Sequence, residues 1–322
     1  MRISTLFLAI PLLRIYAAAV KPLPLVIWHG LGVSRPSPAF AHPANPAAGD
    51  SFDSEGVESV QTLYKTIYPS AFTYAIRLAE TGSSDRTATF LGDVNAQLAQ
   101  VCADLAGLPE LAGGFHALGF SQGGQFLRGY VERCNAPAVR TLVTFGAQHN
   151  GIARFIARCA AGDWVCRGAA GLLQGSKWAV QGRVVPAQYF RDPGALDEYL
   201  AHSAFLADIN NERADKNATY ARNLASLDAL VMVMFGEDET VVPKESAWFA
   251  EVDGESGEIT PLQERDIYKQ DWLGLRKLGE KGGLVFEVVP GKHMSIGDEV
   301  LERVFKVYFG PGGRRSEDDH EL

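Results

Sequence analysis

The segment Gly119-Phe120-Ser121-Gln122-Gly123 sets a serine between two glycines in the pattern G-x-S-x-G, and Gly124 adds further room. Flanking glycines let a backbone turn sharply from strand to helix, which presents the serine oxygen at the C-terminal edge of a sheet. A serine hydroxyl is a weak nucleophile at neutral pH. It needs a base beside it, and the base needs a carboxylate to orient it. The chain supplies both, later and in order. Phe235-Gly236-Glu237-Asp238-Glu239-Thr240-Val241-Val242-Pro243 directly follows an apolar run, and Asp238 is the chosen orienting acid. Its competitors are Glu237 and Glu239, and the alternative to any catalytic role is a solvated acidic turn. Of seven histidines, His293 in Val289-Pro290-Gly291-Lys292-His293-Met294 alone follows the last apolar run, completing the order Ser, Asp, His. His116 lies inside a strand-like run and reads as core, His42 and His202 have no strand-end position, and His149 reads either as lining the cleft or as structural. Acyl hydrolysis also needs N–H donors for a tetrahedral oxyanion, commonly the one after the nucleophile and one from the loop after an early strand. Gln122 and Leu31, the latter within His29-Gly30-Leu31-Gly32, occupy those places.

Elements must bring these residues together. Pro24-Leu25-Val26-Ile27-Trp28 reads as a buried strand running into the Gly-bearing turn. Residues 72–78 read as a second strand, 90–105 carry apolar positions at helical spacing, and 115–120 form a third strand ahead of a helix from Ser121 to Val131. A fourth strand follows at 141–145. From 146 to 227 the alternation is lost, with helix-like pieces at 152–160 and 195–206 broken by Gly and Pro. It resumes with strands at 230–235 and 283–289 and closes with an amphipathic helix from Asp298 to Tyr308. Short apolar strands alternating with helices imply a mostly parallel sheet covered on both faces. With the serine, acid and histidine at successive strand ends, this is the α/β-hydrolase fold, one domain over 20–310 with a helical cap-like insertion at about 146–227.

The whole chain sets bounds. Its 322 residues carry a formal net charge of −8, which leaves no basic face for nucleic acid. Arg2, an apolar run from Ile3 to Leu13 and Ala17-Ala18-Ala19 read as a signal peptide over 1–19, cut before Val20, although Arg14 interrupts its apolar part. No later stretch is long and apolar enough to span a bilayer. Cys102, Cys134, Cys159 and Cys166 suit an oxidising compartment and two disulfides in any of three pairings; none has metal-site spacing, and the chemistry calls for neither metal nor cofactor. Asn217-Ala218-Thr219 is a sequon, so Asn217 is a candidate glycan site. The tail at 311–322 ends Asp319-His320-Glu321-Leu322, H-D-E-L with its first two residues exchanged, readable as an ER-retrieval signal or as a solvated acidic tail.

Taken over most of its length, the sequence resembles the palmitoyl-protein thioesterases, lumenal enzymes that remove long acyl chains from cysteine. The residues that carry the resemblance are 119–128, Gly-Phe-Ser-Gln-Gly-Gly-Gln-Phe-Leu-Arg; 205–213, Phe-Leu-Ala-Asp-Ile-Asn-Asn-Glu-Arg; Tyr189-Phe190-Arg191-Asp192-Pro193; and Pro261-Leu262-Gln263-Glu264 with Leu273-Gly274-Leu275. The resemblance implies Ser121, Asp238 and His293 as triad, the pairings Cys102–Cys134 and Cys159–Cys166, a lysosomal or vacuolar home, and S-acylated proteins or peptides, with acyl-CoA a further candidate, as substrates. Two departures stand out. Val33-Ser34-Arg35-Pro36 follow the turn where the family has an acidic residue and adjacent cysteines, and Gly146-Ala147-Gln148-His149 stand where the family has paired glycines.

The expected reaction is hydrolysis of palmitoyl thioesters through an acyl-serine. A cysteine thiolate, with a pKa near 8.5, leaves readily, so selectivity falls on the acyl chain, at about 0.8 kcal/mol per buried methylene. Leu172, Leu173, Trp178, Val184 and Val185 of the insertion are candidate groove lining or ordinary core. A lipase or carboxylesterase acting on oxygen esters is the enzymatic alternative, and a non-catalytic acyl-chain or partner-binding module is the alternative of another class. Neither oligomeric state nor protein substrate is legible here.

Overall fold

A computed structural model describes residues 21–32, 51–155, 159 and 162–310. The expected signal peptide, the Pro-rich loop at 33–50 with His42, and the acidic tail lie outside the described residues. Among the described residues ten short strands run in chain order: β1 Leu25–Trp28, β2 Thr73–Ala75, β3 Phe115–Phe120, β4 Val139–Phe145, β5 Arg154–Phe155, β6 Ala229–Phe235, β7 Val241–Val242, β8 Glu251–Val252, β9 Ile259–Thr260 and β10 Leu284–Val289. Six of them make one sheet in the order β10-β6-β4-β3-β1-β2, every neighbouring pair parallel. Their sequences are apolar without alternation because helices cover both faces. β1 and β3 are buried at every position.

Strand registers decide where function can sit. Trp28 pairs with Gly119, Phe120 with Phe145, Phe145 with Val233 and Val289 with Phe235. The carboxyl ends of β1, β3, β4, β6 and β10 therefore share one edge. The chain first builds from β1 outward to β2 and then returns to the other side of β1 for β3, so the order reverses between β1 and β3. Such a reversal opens a crevice at the carboxyl ends, where open α/β sheets place ligands.

Helices α1 Glu55–Ile67, α2 Gly82–Ala88, α3 Val94–Ala106 and α4 Gln122–Arg133 start behind identifiable signals. Ser54, Thr81 and Asp93 cap the first three by accepting backbone N–H bonds. The strand expected over 72–78 shrinks to β2 because Leu78 N–H turns aside to the Asp85 carboxylate. Between β5 and β6, α5 Trp164–Ser176, α6 Leu196–His202, α7 Leu206–Ile209 and α8 Ala218–Ala225 replace sheet with helix. Two expectations there need correction. Residues 152–155 are not helical: Arg154 and Phe155 pair antiparallel with Val242 and Val241, and Ile152 bridges to Phe190. The helix expected over 195–206 breaks after His202 and restarts at Leu206. In both places long-range partners override a local period. The implied disulfides form, Cys102 with Cys134 across α3 and the end of α4, and Cys159 with Cys166 at the start of α5. Closing a loop of the first size stabilises by about 3–4 kcal/mol on the chain-entropy view.

α4 is buried over almost its whole circumference, which its sequence permits only by pairing charge with charge. Arg128 and Glu132, both wholly buried, meet at 2.7 Å. The same guanidinium donates to the Ile209 and His149 carbonyls and to the Asn210 side chain, and lies over the Phe249 ring. Burial pushes the Glu132 carboxyl up to about 7 against the opposing pull of Arg128. A folded state that holds this proton more tightly than the unfolded chain loses stability as pH rises from about 4.5 through 7. Glu132→Gln carries no such proton. Thermal midpoints measured from pH 5 to pH 7.5 are expected to move in the variant's favour relative to wild type by several degrees as pH rises; a constant difference between the two proteins would show that Glu132 does not titrate in this window.

Candidate active site

At the end of β3 the backbone does what the glycine spacing foretold. Ser121 adopts φ 51°, ψ −124°, a positive φ that L residues avoid, and α4 begins at the next residue. The turn fits because nothing stands in its way: a Cβ on Gly119 would lie 2.3 Å from Gly124 Cα, and one on Gly123 would lie 2.3 Å from the His29 carbonyl oxygen. The Ser121 N–H donates to the Phe145 carbonyl at 2.7 Å, tying the elbow to β4.

Two loops complete the set. The loop after β10 brings His293 Nε2 to 3.1 Å from Ser121 Oγ, and the loop after β6 brings Asp238 Oδ2 to 2.6 Å from His293 Nδ1. The second Asp238 oxygen accepts the N–H groups of Thr240 and Val241, which fixes the carboxylate plane. Val241 belongs to the β5–β7 ribbon, so the pairing that overrode the expected helix also anchors this loop. The three acids differ in position: Asp238 meets His293, Glu237 is exposed, and Glu239 faces Lys292 at 3.6 Å. His293 is itself held by shape. Its ring meets Phe235 edge-on, and Gly146, at φ +56°, leaves room beside both rings.

The turn after β1 passes against the elbow, with a Cβ on Gly30 falling 3.1 Å from the Ser121 Cβ. Leu31 thus lies beside Ser121, and Gln122, first residue of α4, has one of the N–H groups that a helix leaves without an internal acceptor. Two groups that sequence reasoning missed stand behind this turn. His29 and Asp85, both buried, pair at 2.8 Å, and Asp85 also accepts from Leu78 N–H and Phe52 N–H. The hydrogen bonds to the charged form, His29 foremost, hold its carboxyl below the usual range although burial pushes the other way. Thr89 accepts from Gly32 N–H at 3.0 Å. An acid early in a short helix gives no sequence signal of such a partner 56 residues away.

The remaining histidines are accounted for. His149 is wholly buried, stacked on Phe249 with its Nε2 3.1 Å from the Thr144 hydroxyl, and burial keeps it neutral; it is structural and does not line the cleft. His116 stacks on Phe309, and burial pushes it down to about 3. His202 is exposed beside Trp178. Among the candidate lining residues, Val184 and Val185 are wholly buried core, Leu173 is nearly so, Trp178 is half-buried and Leu172 is exposed. Asn217 is exposed and caps α8, its side chain accepting the Thr219 N–H. No helix among the described residues is long and apolar enough to cross a membrane.

Comparison with known proteins gives this geometry a lineage. The family model described as palmitoyl protein thioesterase matches residues 24–293. Palmitoyl-protein thioesterase 1 of Caenorhabditis elegans is 39% identical over 90% of this chain and 93% of its own. Palmitoyl-protein thioesterase 3 of Dictyostelium discoideum is 33% identical over 95% and 96%. A lysosomal thioesterase, PPT2-B of Xenopus laevis, is 36% identical over 32% of this chain and 36% of that one.

The site makes one demand that can be tested away from the triad. In Gly146→Ala a methyl would meet the His293 ring at about 3.0 Å. Moving a catalytic group by an ångström costs roughly 100-fold. The expected outcome is a kcat reduced about 100-fold with KM little changed; wild-type kcat in a folded variant would mean that Gly146 does not set the histidine's place.

Proposed function

The chain belongs to the palmitoyl protein thioesterase family, and on that footing we propose that it hydrolyses long-chain acyl thioesters of protein cysteines through an acyl-Ser121 intermediate. The observation that carries the assignment of residues is the Ser121–His293–Asp238 relay, built on a positive-φ serine at the sheet's switch point. His293 Nε2 takes the proton as Ser121 Oγ attacks the thioester carbonyl carbon. The carbonyl oxygen becomes an oxyanion facing the N–H groups of Leu31 and Gln122. Collapse breaks the carbon–sulfur bond, and the proton returns from His293 to the departing sulfur. A water then repeats the sequence on the acyl-serine, releasing the fatty acid and restoring the hydroxyl. Asp238 holds the ring in the tautomer with its proton on Nδ1 and stabilises the imidazolium between the two transfers.

The same reading covers the surroundings. The domain runs over 20–310, with the insertion at about 146–227 as a cap on the acyl side. S-acylated proteins or peptides are the substrates, with acyl-CoA sharing the bond. The leader, the disulfides and the lysosomal relative support a lumenal, lysosomal or vacuolar address, and the exposed Asn217 would carry its glycan there. The H-D-E-L-like tail would act in retrieval; fusing it to a secreted reporter and measuring secretion tests this, and undiminished secretion removes the proposal.

Turnover should be measured on matched thioester and oxygen-ester substrates of increasing chain length. Ser121→Ala is expected to release no fatty acid above background, Asp238→Asn to lose about 10⁴ in kcat, and Glu237→Gln and Glu239→Gln to stay within about twofold of wild type. Rates favouring the oxygen ester would turn the assignment to an esterase, and fatty acid release by Ser121→Ala would end it.

A further inference from the structure

The buried contacts around the nucleophile converge on one short helix that the relay does not contain. α2 begins behind Thr81, whose hydroxyl and backbone engage Ser84 in a reciprocal cap, and this fixes Asp85 one residue later. Asp85 faces the His29 ring at 2.8 Å, while the other ring nitrogen of His29 faces the Gly30 carbonyl at 3.0 Å. Both ring nitrogens are thereby directed at acceptors, one on the helix and one on the turn that carries Leu31. Thr89, at the end of α2 and almost wholly buried, makes the second attachment. Its hydroxyl donates to the Arg86 carbonyl at 2.7 Å and accepts the Gly32 N–H at 3.0 Å. Its carbonyl accepts from the Gln122 side-chain amide at 3.2 Å, and the Gln122 side-chain oxygen accepts from the Tyr189 hydroxyl at 3.1 Å. Thr89 thus touches both Gly32, beside Leu31, and the side chain of Gln122.

We propose that Thr89 is a positioning residue for the oxyanion donors, with α2 as the platform that sets the distance between the Leu31 and Gln122 N–H groups. This rests on the assignment of those two N–H groups as donors. The chemistry demands such a platform. A donor stabilises the oxyanion only when it is aimed at the place where charge develops, and removing one costs about 10²–10³ in kcat. Leu31 lies in a loop with no helix or strand of its own, so its aim has to be supplied from outside. Without the Thr89 hydroxyl, the buried Gly32 N–H loses its acceptor among the described residues and the turn is free to shift.

The test uses purified full-length protein and two substrates of one chain length, an oxygen ester and the corresponding thionoester, whose sulfur accepts hydrogen bonds poorly. Wild type is expected to prefer the oxygen compound strongly. Thr89→Val, which keeps volume, and Thr89→Ala, which relieves crowding, both remove the hydroxyl. Each is expected to lower kcat on the palmitoyl thioester by about 10–100-fold with KM within about twofold, and to shrink the oxygen-over-sulfur preference. Thr89→Ser, which keeps the hydroxyl, is expected to restore kcat to within about threefold. Unchanged kcat in Val and Ala, an equal loss in Ser, or a lowered kcat with the preference intact would each overturn the proposal. A wild type that shows no oxygen preference would instead overturn the donor assignment beneath it.

Discussion

Everything at the active edge depends on holding one non-glycine residue in a conformation it resists. Ser121 at φ 51°, ψ −124° carries a cost of order 1–3 kcal/mol, and such a residue persists only where its surroundings over-determine it. They do so from three directions. The Phe145 carbonyl holds its N–H, Gly119 and Gly123 press backbone against backbone, and α4 is pinned at its centre by the Arg128–Glu132 pair. A buried pair of this kind contributes little net stability compared with apolar packing, but its geometry admits few alternatives. Its partners are the Ile209 carbonyl and Asn210, so the helix that begins after Ser121 and the helical segment between β5 and β6 are set against each other by the same guanidinium.

The segment between β5 and β6 is tied down again further out. Arg191 pairs with Glu212 and Glu251, and Arg265 reaches Asn150 and lies beside the same two acids. Glu212 of the 205–213 stretch belongs to this network, and so does Arg265, which directly follows 261–264. Arg86 of α2 pairs with Asp163, the residue that caps α5, so the helix behind the oxyanion turn is also joined to the insertion.

Much of this was legible because it is local. Apolar runs without alternation, glycines around Ser121, and an acid and a histidine at successive strand ends each declare themselves within a few residues. What escaped was set by distance. The Asp85–His29 and Thr89–Gly32 contacts join residues 56 and 57 apart, and neither end bears a mark of the other. The stretch 152–155 has apolar spacing that suits a helix, yet its backbone found partners in Val241 and Val242. Val184 and Val185 read equally as groove lining or as ordinary core, because only packing distinguishes a wall from a core, and both lie wholly inside. His149 was undecidable for the same reason: its ring is stacked on Phe249, a residue 100 positions on, and burial keeps it neutral.

The distribution of these buried contacts fits the bond proposed for cleavage. When an amide or alkyl ester breaks, its leaving group depends on timely protonation, and the histidine's second role as acid is as demanding as its first as base. A thiol with a pKa near 8.5 leaves with little such help, which shifts the burden to forming and stabilising the tetrahedral oxyanion. The protein invests accordingly. His293 stands partly exposed on a loop, held by Asp238, Phe235 and the space at Gly146, whereas the turn carrying Leu31 is backed by a buried histidine–carboxylate contact and a nearly fully buried threonine. A site in which the oxyanion side is more rigidly supported than the acid–base side is suited to substrates whose leaving group needs no persuasion, and a long-chain acyl group on a cysteine sulfur is such a substrate.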